Sequence, residues 1–419
     1  MDNPTKPTIL RFMKDQFDIT IVGGGLNGTA LAIALGQAGF EIALIDKLPV
    51  DTRSLEQFDG RAYALALSST RALDAIGIWS KIVPDAQPML EIKVTDGRAG
   101  EGPAPFFLHF DHAELEEGPM GHLVEDRHLR RAFLEAVDGL ETITHIAPAT
   151  VTAQTVSNGW AEVTADGKTL KSRLLIGCDG RRSGTAERAG IKRSFKDYGQ
   201  TALVAAIGHE KPHGGIAHQF FMPAGPLAIL PLTGNRSAIV WAEATARAAQ
   251  LAAIDDDAFI EALRPAFGDF LGDLHVAGTR FSYPLNLTEA ERLVVDRLAL
   301  VGDAAHGIHP IAGQGLNQGL RDASALAEVV TDAMRRGEDI GAADVLERYA
   351  GWRRFDATLL ARATDAFNTL FSNDKPGLRT LRDIGMGLVN ASPTLRHSFM
   401  REAAGLTGDL PRMMQGRPL

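Results

Sequence analysis

Short apolar runs alternate with polar stretches along this chain, and an early run predicts a buried strand over Phe17–Val22. Its residues alternate and then become continuously apolar, as in parallel strands that are buried on both faces. A glycine-rich turn follows, and an Ala- and Leu-rich stretch then predicts a helix over Thr29–Ala38 that ends at Gly39. A second run, Glu41–Ile45, ends at Asp46. This order predicts the start of a βαβ unit.

The glycine turn has the spacing of a dinucleotide-binding fingerprint. Gly23 would make the tight turn, Gly25 would let the backbone approach a pyrophosphate, and Gly28 would let the helix pack on the strand. Asp46, about 20 residues further on, would accept hydrogen bonds from ribose hydroxyls. The spacing alone is a weak signal, but its place between a strand and a helix favours dinucleotide binding. It does not distinguish NAD from FAD.

A similar pattern of strand, glycine turn and helix recurs late in the chain. The apolar run Leu298–Val301 stops at Gly302 and Asp303, and a helix is predicted to begin within Gly313–Gly315. Glycines here would let the backbone come close to a flat or anionic ligand, and the start of the helix would favour negative charge. The alternative interpretation is a tight turn with a capping carboxylate.

Between these patterns, another apolar strand over Leu174–Gly177 runs into Asp179 and Gly180. The simplest interpretation of Asp179 is that it bonds the backbone of its own loop. Cys178, inside this turn, is interpreted as a small buried hydrophobe because nothing around it indicates a reactive thiolate.

The segments between the glycine motifs are strand-like, whereas a nicotinamide dehydrogenase would usually continue with alternating strands and helices. The predicted strands are Leu90–Val94, Pro105–Phe110, His218–Met222, Leu227–Leu232 and Ser237–Trp241. We therefore predict an α/β fold: a Rossmann-like FAD-binding domain with an inserted β-sheet-rich substrate domain and a helical C-terminal tail. The FAD-binding domain would comprise residues 1–75, 102–190 and 276–350, the substrate domain 76–101 and 191–275, and the helical region 351–419.

Composition narrows the function further. With 419 residues the chain should form about two domains, and its net charge of −9 argues against nucleic-acid binding. One cysteine excludes an intramolecular disulfide and fits a reducing cytoplasm. The apolar runs are too short to span a membrane, residues 1–16 do not resemble a signal peptide, and no His/Cys cluster predicts a metal site. The apolar positions of the tail, over Leu346–Leu370, would cap the core or form a surface for partner subunits or a membrane.

Together, the motifs resemble the flavoprotein aromatic monooxygenases, and within them the hydroxylases of ubiquinone biosynthesis such as the 2-octaprenylphenol hydroxylases. The resemblance covers nearly the whole chain and rests on Gly23–Gly25 with Gly28 and Asp46, Arg61 followed by Ala64–Ser68, Arg127 before the helix His128–Val137, Gly177–Ser183, Gly302–Asp303, His309–Asn317 and Gly319–Asp322. One position departs from it: Ala186 stands where many relatives have an arginine, with Arg188 nearby. The arginine that would serve the nicotinamide donor is therefore left open.

The resemblance implies FAD as cofactor and NAD(P)H as co-substrate. It gives Asp303 a contact with the ribityl or pyrophosphate region, places Asp179 between the flavin and donor sites, and turns the helix start at Gly313–Asn317 toward the flavin pyrimidine edge. Arg61 and Arg127 would contact the phosphate or ribityl face, unless they are exposed arginines paired with carboxylates. The predicted cofactor-binding set is Gly23, Gly25, Gly28, Asp46, Arg61, Arg127, Asp179, Gly302, Asp303, Pro310, Gly313, Gln314, Gly315 and Asn317. The motifs name no catalytic base.

The activity implied by the resemblance is hydroxylation of the aromatic ring of a polyprenylated phenol in ubiquinone biosynthesis. NAD(P)H would reduce FAD, and reduced flavin would react with O2 to a C4a-hydroperoxide that hydroxylates the ring. Phe220, Phe221, Leu227, Ile229 and Leu230 would line an apolar pocket, or else form ordinary sheet core.

Two alternatives stay open at this point: another FAD-dependent aromatic hydroxylase that acts on a small phenolic substrate, and a flavin-binding non-catalytic subunit of a biosynthetic complex. The expected location is the cytoplasm, with peripheral association at the inner membrane, a ubiquinone-biosynthesis complex or a homo-oligomer also left open.

Overall fold

The computed structural model describes residues 14–53, 57–98, 102–307, 314–354 and 389–419. The strands are β1 Gln16–Val22, β2 Ile42–Ile45, β3 Ala62–Ala66, β4 Gln87–Met89, β5 Glu91–Arg98, β6 Gly102–Asp111, β7 Gly121–Glu125, β8 Ile143–Ile146, β9 Val151–Ser157, β10 Trp160–Ala165, β11 Lys168–Gly177, β12 Arg193–His209, β13 Ile216–Met222, β14 Gly225–Leu232, β15 Arg236–Ala244, β16 Leu274–Val276, β17 Phe281–Ala290, β18 Val294–Val295, β19 Leu298–Leu300 and β20 His306–Gly307. The helices are α1 Leu26–Gln37, α2 Leu67–Ala75, α3 Trp79–Ile82, α4 Asp126–Asp138, α5 Gly184–Arg188, α6 Thr245–Ala253, α7 Asp256–Phe267, α8 Gln314–Arg335 and α9 Pro393–Ala403. Residues 343–354 are also helical.

An eight-stranded sheet forms the first layer, with the order β18-β19-β11-β1-β2-β8 and with β10 and β9 continuing from β11. β1 lies at its centre and pairs in parallel with β2 and β11, and β11 pairs in parallel with β19. Its apolar residues, such as Ile19, Ile21 and Leu44, are fully buried, which is why these strands read as continuous apolar runs. The predicted α/β architecture is confirmed.

Helix α1 begins at Leu26, three residues before the predicted start, because Gly25 adopts an extended conformation and acts as its N-cap. Ten of its residues are buried, since the helix lies against both the sheet and α8. The glycine turn therefore leads directly into a helix that is fixed on several sides.

The second layer is a nine-stranded sheet with the order β20-β17-β12-β15-β14-β13-β5-β6 and with β16 beside β12. All five strand segments predicted between the glycine motifs lie in it. Helices α6 and α7 pack on one face, and the three-stranded sheet β3-β7-β4 packs against part of the other.

Three strands lie in a different sheet from the one that the predicted domain division implies. β6 pairs with β5, β17 pairs with β12 and β20 pairs with β17, so all three belong to the nine-stranded sheet. The division at residues 102 and 276 gave them to the FAD-binding domain. The apolar pattern of a strand identifies the strand but not the partner with which it pairs, and this caused the difference.

The C-terminal residues return to the first layer. Met413 and Met414 are buried in the same core as β1 and α1, and Arg412 forms ion pairs with Glu328 and Asp332 of α8. Tyr349 is fully buried as well, as expected for a core-capping helix. Most of the predicted helical span Leu346–Leu370 lies outside the described residues. No helix within the described ranges is long and apolar enough to cross a membrane.

Candidate cofactor site

In chain order, the glycine turn Gly23–Gly28 is the first motif, Gly177–Ser183 the second and Gly302–Asp322 the third. The first and second motifs are in direct contact at the carboxyl edge of the eight-stranded sheet. Gly23 has a φ of +107°, and a Cβ atom there would lie 2.4 Å from the carbonyl oxygen of Cys178. A Cβ atom on Gly28 would lie 1.9 Å from the carbonyl oxygen of Gly23. Both positions therefore require glycine for steric reasons, as the fingerprint predicted. Burial raises the pKa of the Cys178 thiol, in agreement with an inert side chain.

The N-terminus of α1 is suited to an anion. Its first turn carries no acidic side chain, and no side chain caps it. No described atom lies within 4 Å of the position that a Cβ atom on Gly25 would occupy. The first N–H groups of this helix can therefore face a pyrophosphate. Asp46 is buried beside them, and its carboxylate accepts hydrogen bonds from the N–H groups of Gly24 at 2.6 Å and Leu48 at 2.7 Å. The uncapped N-terminus of α1 and the nearby Asp46 carboxylate are therefore suited to bind one half of a dinucleotide.

Asp179 closes its own loop. Its carboxylate accepts hydrogen bonds from the Ser183 hydroxyl and from the N–H and hydroxyl groups of Thr185, both at 2.9 Å. Ser183 in turn accepts a hydrogen bond from the Ala186 N–H at 3.0 Å and caps α5. The structure thus shows the simpler interpretation of Asp179, and its contact with the flavin stays a prediction.

Asp303 is paired with an arginine that the sequence analysis did not single out. Arg181 Nε lies 3.2 Å from Asp303 Oδ2, and both side chains are about one-third exposed at 35%. Arg193 donates to the carbonyl oxygen of Arg181 and fixes this loop from the second sheet. Arg181 stands in the second motif, so its charge was visible in the sequence, but its pairing across 122 positions was not.

Asp322 organises the buried side of the third motif. Its Oδ1 accepts a hydrogen bond from Arg353 Nε at 2.7 Å and its Oδ2 one from the Gly302 N–H at 3.0 Å, while His306 Nε2 lies 2.8 Å from Oδ2. Asp322 and Arg353 are almost fully buried. Burial alone would raise the pKa of Asp322, but the charges of His306 and Arg353 outweigh it and lower the pKa to about 2. Neither Asp322 nor Arg353 was in the predicted set.

Comparison with known proteins shows to which family the chain belongs. Residues 16–363 match a family described as an FAD binding domain. A ubiquinone hydroxylase (UbiL) of Rhodospirillum rubrum is 45% identical over 406 residues, which cover 96% of this chain and 93% of that protein. The 3-demethoxyubiquinol 3-hydroxylase of Escherichia coli is 31% identical, with 93% and 98% covered. The chain belongs to the FAD-dependent hydroxylase family of ubiquinone biosynthesis. It is an FAD-dependent aromatic monooxygenase, and NAD(P)H is the reductant typical of its family.

A solved structure of similar fold supports the architecture of the hydroxylase. The p-nitrophenol 4-monooxygenase PnpA of Pseudomonas putida superimposes with a TM-score of 0.78 over 94% of this chain and 99% of that one, at 18% identity.

Asn317 of the hydroxylase, predicted to face the flavin, is buried and joins three elements. Its Oδ1 accepts hydrogen bonds from the N–H of Ala66 at 2.9 Å and the hydroxyl of Ser69 at 2.7 Å, and its Nδ2 donates to the carbonyl oxygen of Ala64 at 2.9 Å. It thereby holds the start of α8 against β3 and α2, and a direct contact with FAD stays a prediction.

Four further residues of the predicted set lie shortly before Asn317 in sequence: Pro310, Gly313, Gln314 and Gly315. Gln314 begins α8, and no described atom lies within 4 Å of a Cβ position on Gly315. As far as the described residues show, that side of the helix is therefore open at Gly315. Pro310 and Gly313 lie outside the described residues.

Arg61 and Arg127 are both paired with carboxylates, as the alternative interpretation expected. Arg61 lies 2.6 Å from Asp59 and 3.3 Å from Asp126. Arg127 Nε lies 2.7 Å from Glu125, whose other oxygen accepts a hydrogen bond from Arg236 of the second sheet at 2.7 Å. The Arg236 pair ties β7 to the nine-stranded sheet, and contact of Arg61 or Arg127 with the cofactor stays a prediction.

The apolar residues expected to line a pocket point to opposite faces of the nine-stranded sheet. Phe220, Leu227 and Ile229 pack in the cluster that contains α6 and α7, so for these three the pocket interpretation is wrong. Phe221 and Leu230 point to the other face. The reason is that successive strand residues alternate between faces, and α7 covers one of them.

Among the residues that the structure describes, part of the second face carries half-buried apolar side chains. Val204 and Val240 pack there beside Ala202 and Leu285. Phe281 lies at one end, with its ring centroid 5.9 Å from the Arg61 guanidinium carbon. We call the half-buried Val204, Val240 and Phe281 the open face. Among the residues that the structure describes, no group of three or more His, Cys, Asp or Glu side chains is arranged to hold a metal ion.

Proposed function

We propose that this hydroxylase acts on the aromatic ring of a polyprenylated phenol, with O2 as the second substrate. The phenol would be met at a membrane surface, where a long isoprenoid chain resides. The proposal extends the family assignment to a substrate class.

The observation that carries the proposal is the open face. Its half-buried valine and phenylalanine side chains offer an apolar wall next to Arg61, which lies just before β3 and pairs with Asp126 at the start of α4. Burial of each CH2 group gains about 0.8 kcal/mol, so a few isoprene units would dominate binding energy. The likeness to UbiL over 96% of the chain supports the same substrate class.

In this proposal, bound FAD supplies the redox chemistry by which O2 oxidises the ring. The uncapped N-terminus of α1 would hold the pyrophosphate, Asp46 would accept ribose hydroxyls, and Asp303 would bond the ribityl or pyrophosphate region. The open face would orient the ring and exclude water from the reacting atoms.

The test compares two substrates with the FAD-loaded enzyme. NADPH oxidation coupled to hydroxylation should occur with a polyprenyl-phenol in detergent and be absent or weak with 4-hydroxybenzoate in buffer. Val240→Asp should raise the KM for the prenylated substrate, because a carboxylate is costly in an apolar wall. Coupled turnover of the small acid with none on the prenylated compound would reject the proposed substrate but leave the monooxygenase assignment intact.

A further inference from the structure

Asn27 occupies an unusual position between two of the glycine motifs. It is the second residue of α1, within the Gly23–Gly28 turn region, and its side chain reaches toward α8. A Cβ atom on Gly302 would lie 2.6 Å from Asn27 Nδ2, and one on Gly319 would lie 1.9 Å from the same atom. The amide therefore fills the space that side chains at both glycines would require.

The contact with Asn27 gives a reason for glycine at both Gly302 and Gly319 that was not readable from the sequence. Gly302 has a φ of +64°, which favours glycine by itself, but Gly319 is a residue within α8, where alanine would normally be preferred. Gly319 also lies close to Gly302, whose Cβ position would be 3.6 Å from the Gly319 Cα atom. Gly319 thus makes room for a side chain of α1.

The Asn27 side chain is positioned by its packing against Gly302 and Gly319. Its Oδ1 is buried and has no hydrogen-bond partner among the described residues. A buried acceptor without a partner is unfavourable, so its retention calls for a compensating role.

We propose that Asn27 is a positioning residue that sets the distance between the start of α1 and the Gly302–Asp303 turn. A single cofactor must contact both: the first N–H groups of α1 on its pyrophosphate and Asp303 on the part beyond it. The Asn27 amide acts as a spacer between the two segments, and the space left by the missing side chains of Gly302 and Gly319 is the slot that it fills. This role concerns cofactor binding and does not depend on which phenol is hydroxylated.

The test is a double-mutant cycle on FAD affinity, measured on apoprotein by the quenching of flavin fluorescence. Gly319→Ala should weaken FAD binding by about tenfold or more, because the new methyl group displaces the Asn27 amide. Asn27→Ala should weaken binding by only about threefold, since it removes the spacer without a collision. The double variant Asn27→Ala/Gly319→Ala should bind FAD about as well as Asn27→Ala, because its methyl group enters the emptied slot.

Gly351→Ala is the matched control. Gly351 is also helical, and no described atom lies within 4 Å of its Cβ position, so this variant should keep the FAD affinity of the wild type. The melting temperature of each apoprotein reports the steric conflict without cofactor. If Gly319→Ala does not fold, a folded, FAD-binding double variant supports the proposal, and a double variant that also fails to fold overturns it. Equal FAD affinity of Gly319→Ala and Gly351→Ala, or a double variant as weak as the two single effects multiplied, also overturns it.

Discussion

The carboxyl edge of the eight-stranded sheet and the open face of the nine-stranded sheet are built on opposite principles. At the edge, a Cβ atom added to Gly23 or Gly28 would lie only 1.9–2.4 Å from a backbone oxygen, and buried polar groups such as Asp322 and Asn317 bond directly to backbone N–H groups. On the open face, apolar side chains are half-buried beside small residues. At the edge the chemical identity of each residue is specified, whereas on the open face volume and polarity matter more. Substitutions at the edge should therefore affect folding and FAD binding, and those on the open face should affect the substrate.

The largest effect is expected at Asp322. Asp322→Ala removes the partner of a buried arginine and leaves the Gly302 N–H without its acceptor. We expect the free energy of unfolding to fall by about 3–5 kcal/mol, as for a broken buried ion pair, with loss of FAD. Urea unfolding followed by circular dichroism measures this.

Asp344→Ala is the matched control for Asp322→Ala. Asp344 is 75% exposed and lies 3.4 Å from Arg348, so its loss should cost less than about 1 kcal/mol. If the two variants are equally stable, the buried network does not hold the third motif.

The sequence predicted the first region well because its signals are local. Gly23, Gly28 and Asp46 lie in one short segment, and the steric demands of the two glycines follow from the order of strand, turn and helix. The contact of Asp46 with ribose stays a prediction. The pairings between segments were not readable. Arg181 with Asp303 and Arg353 with Asp322 depend on how distant elements come together, and a charged residue in sequence gives no sign of its partner.

In the nine-stranded sheet, the sequence did not show which face of the sheet is covered. Five of its nine strands were predicted (β5, β6, β13, β14 and β15), whereas β12, β16, β17 and β20 were not. Phe220 and Phe221 could not be assigned to faces because both faces of this sheet are apolar there. Which face is covered depends on α6 and α7, which follow later in the chain. Period-two alternation separates the two faces without saying which one is covered.

A neighbouring pair of residues on β15 tests this assignment of faces. Ile239 is fully buried in the core cluster that contains residues of α6 and α7, so Ile239→Ala should lower the free energy of unfolding by about 2–4 kcal/mol. Val240 lies on the open face, and Val240→Ala should cost about 1 kcal/mol or less while raising the KM for the prenylated substrate. Chemical unfolding and steady-state kinetics give the two readouts. A larger stability loss at Val240 than at Ile239 would show that the faces have been assigned the wrong way round.

The smallest expected effect is on the pH dependence of stability. The two regions should differ in the pH range over which each loses stability. His218 of β13 stacks on Phe220, with ring centroids 6.0 Å apart, and lies 4.7 Å from the Phe270 ring. Burial lowers the pKa of His218 from 6.5 to about 4. The unfolded chain therefore binds a proton between these values when the folded chain does not, so stability is full above pH 6.5 and is lost as the pH falls toward 4. Asp322, with a pKa of about 2, keeps its charge throughout this range.

His218→Phe should remove this contribution while it preserves the aromatic stack. Between about pH 7 and pH 5 the wild type should lose about 1–2 kcal/mol more of its free energy of unfolding than the variant does. Urea unfolding of both proteins at the two pH values measures the difference, and the remaining histidines cancel because both proteins contain them. Equal pH dependence would mean that His218 titrates normally in the folded protein, and that the nine-stranded sheet is no more sensitive to mild acid than the glycine motifs.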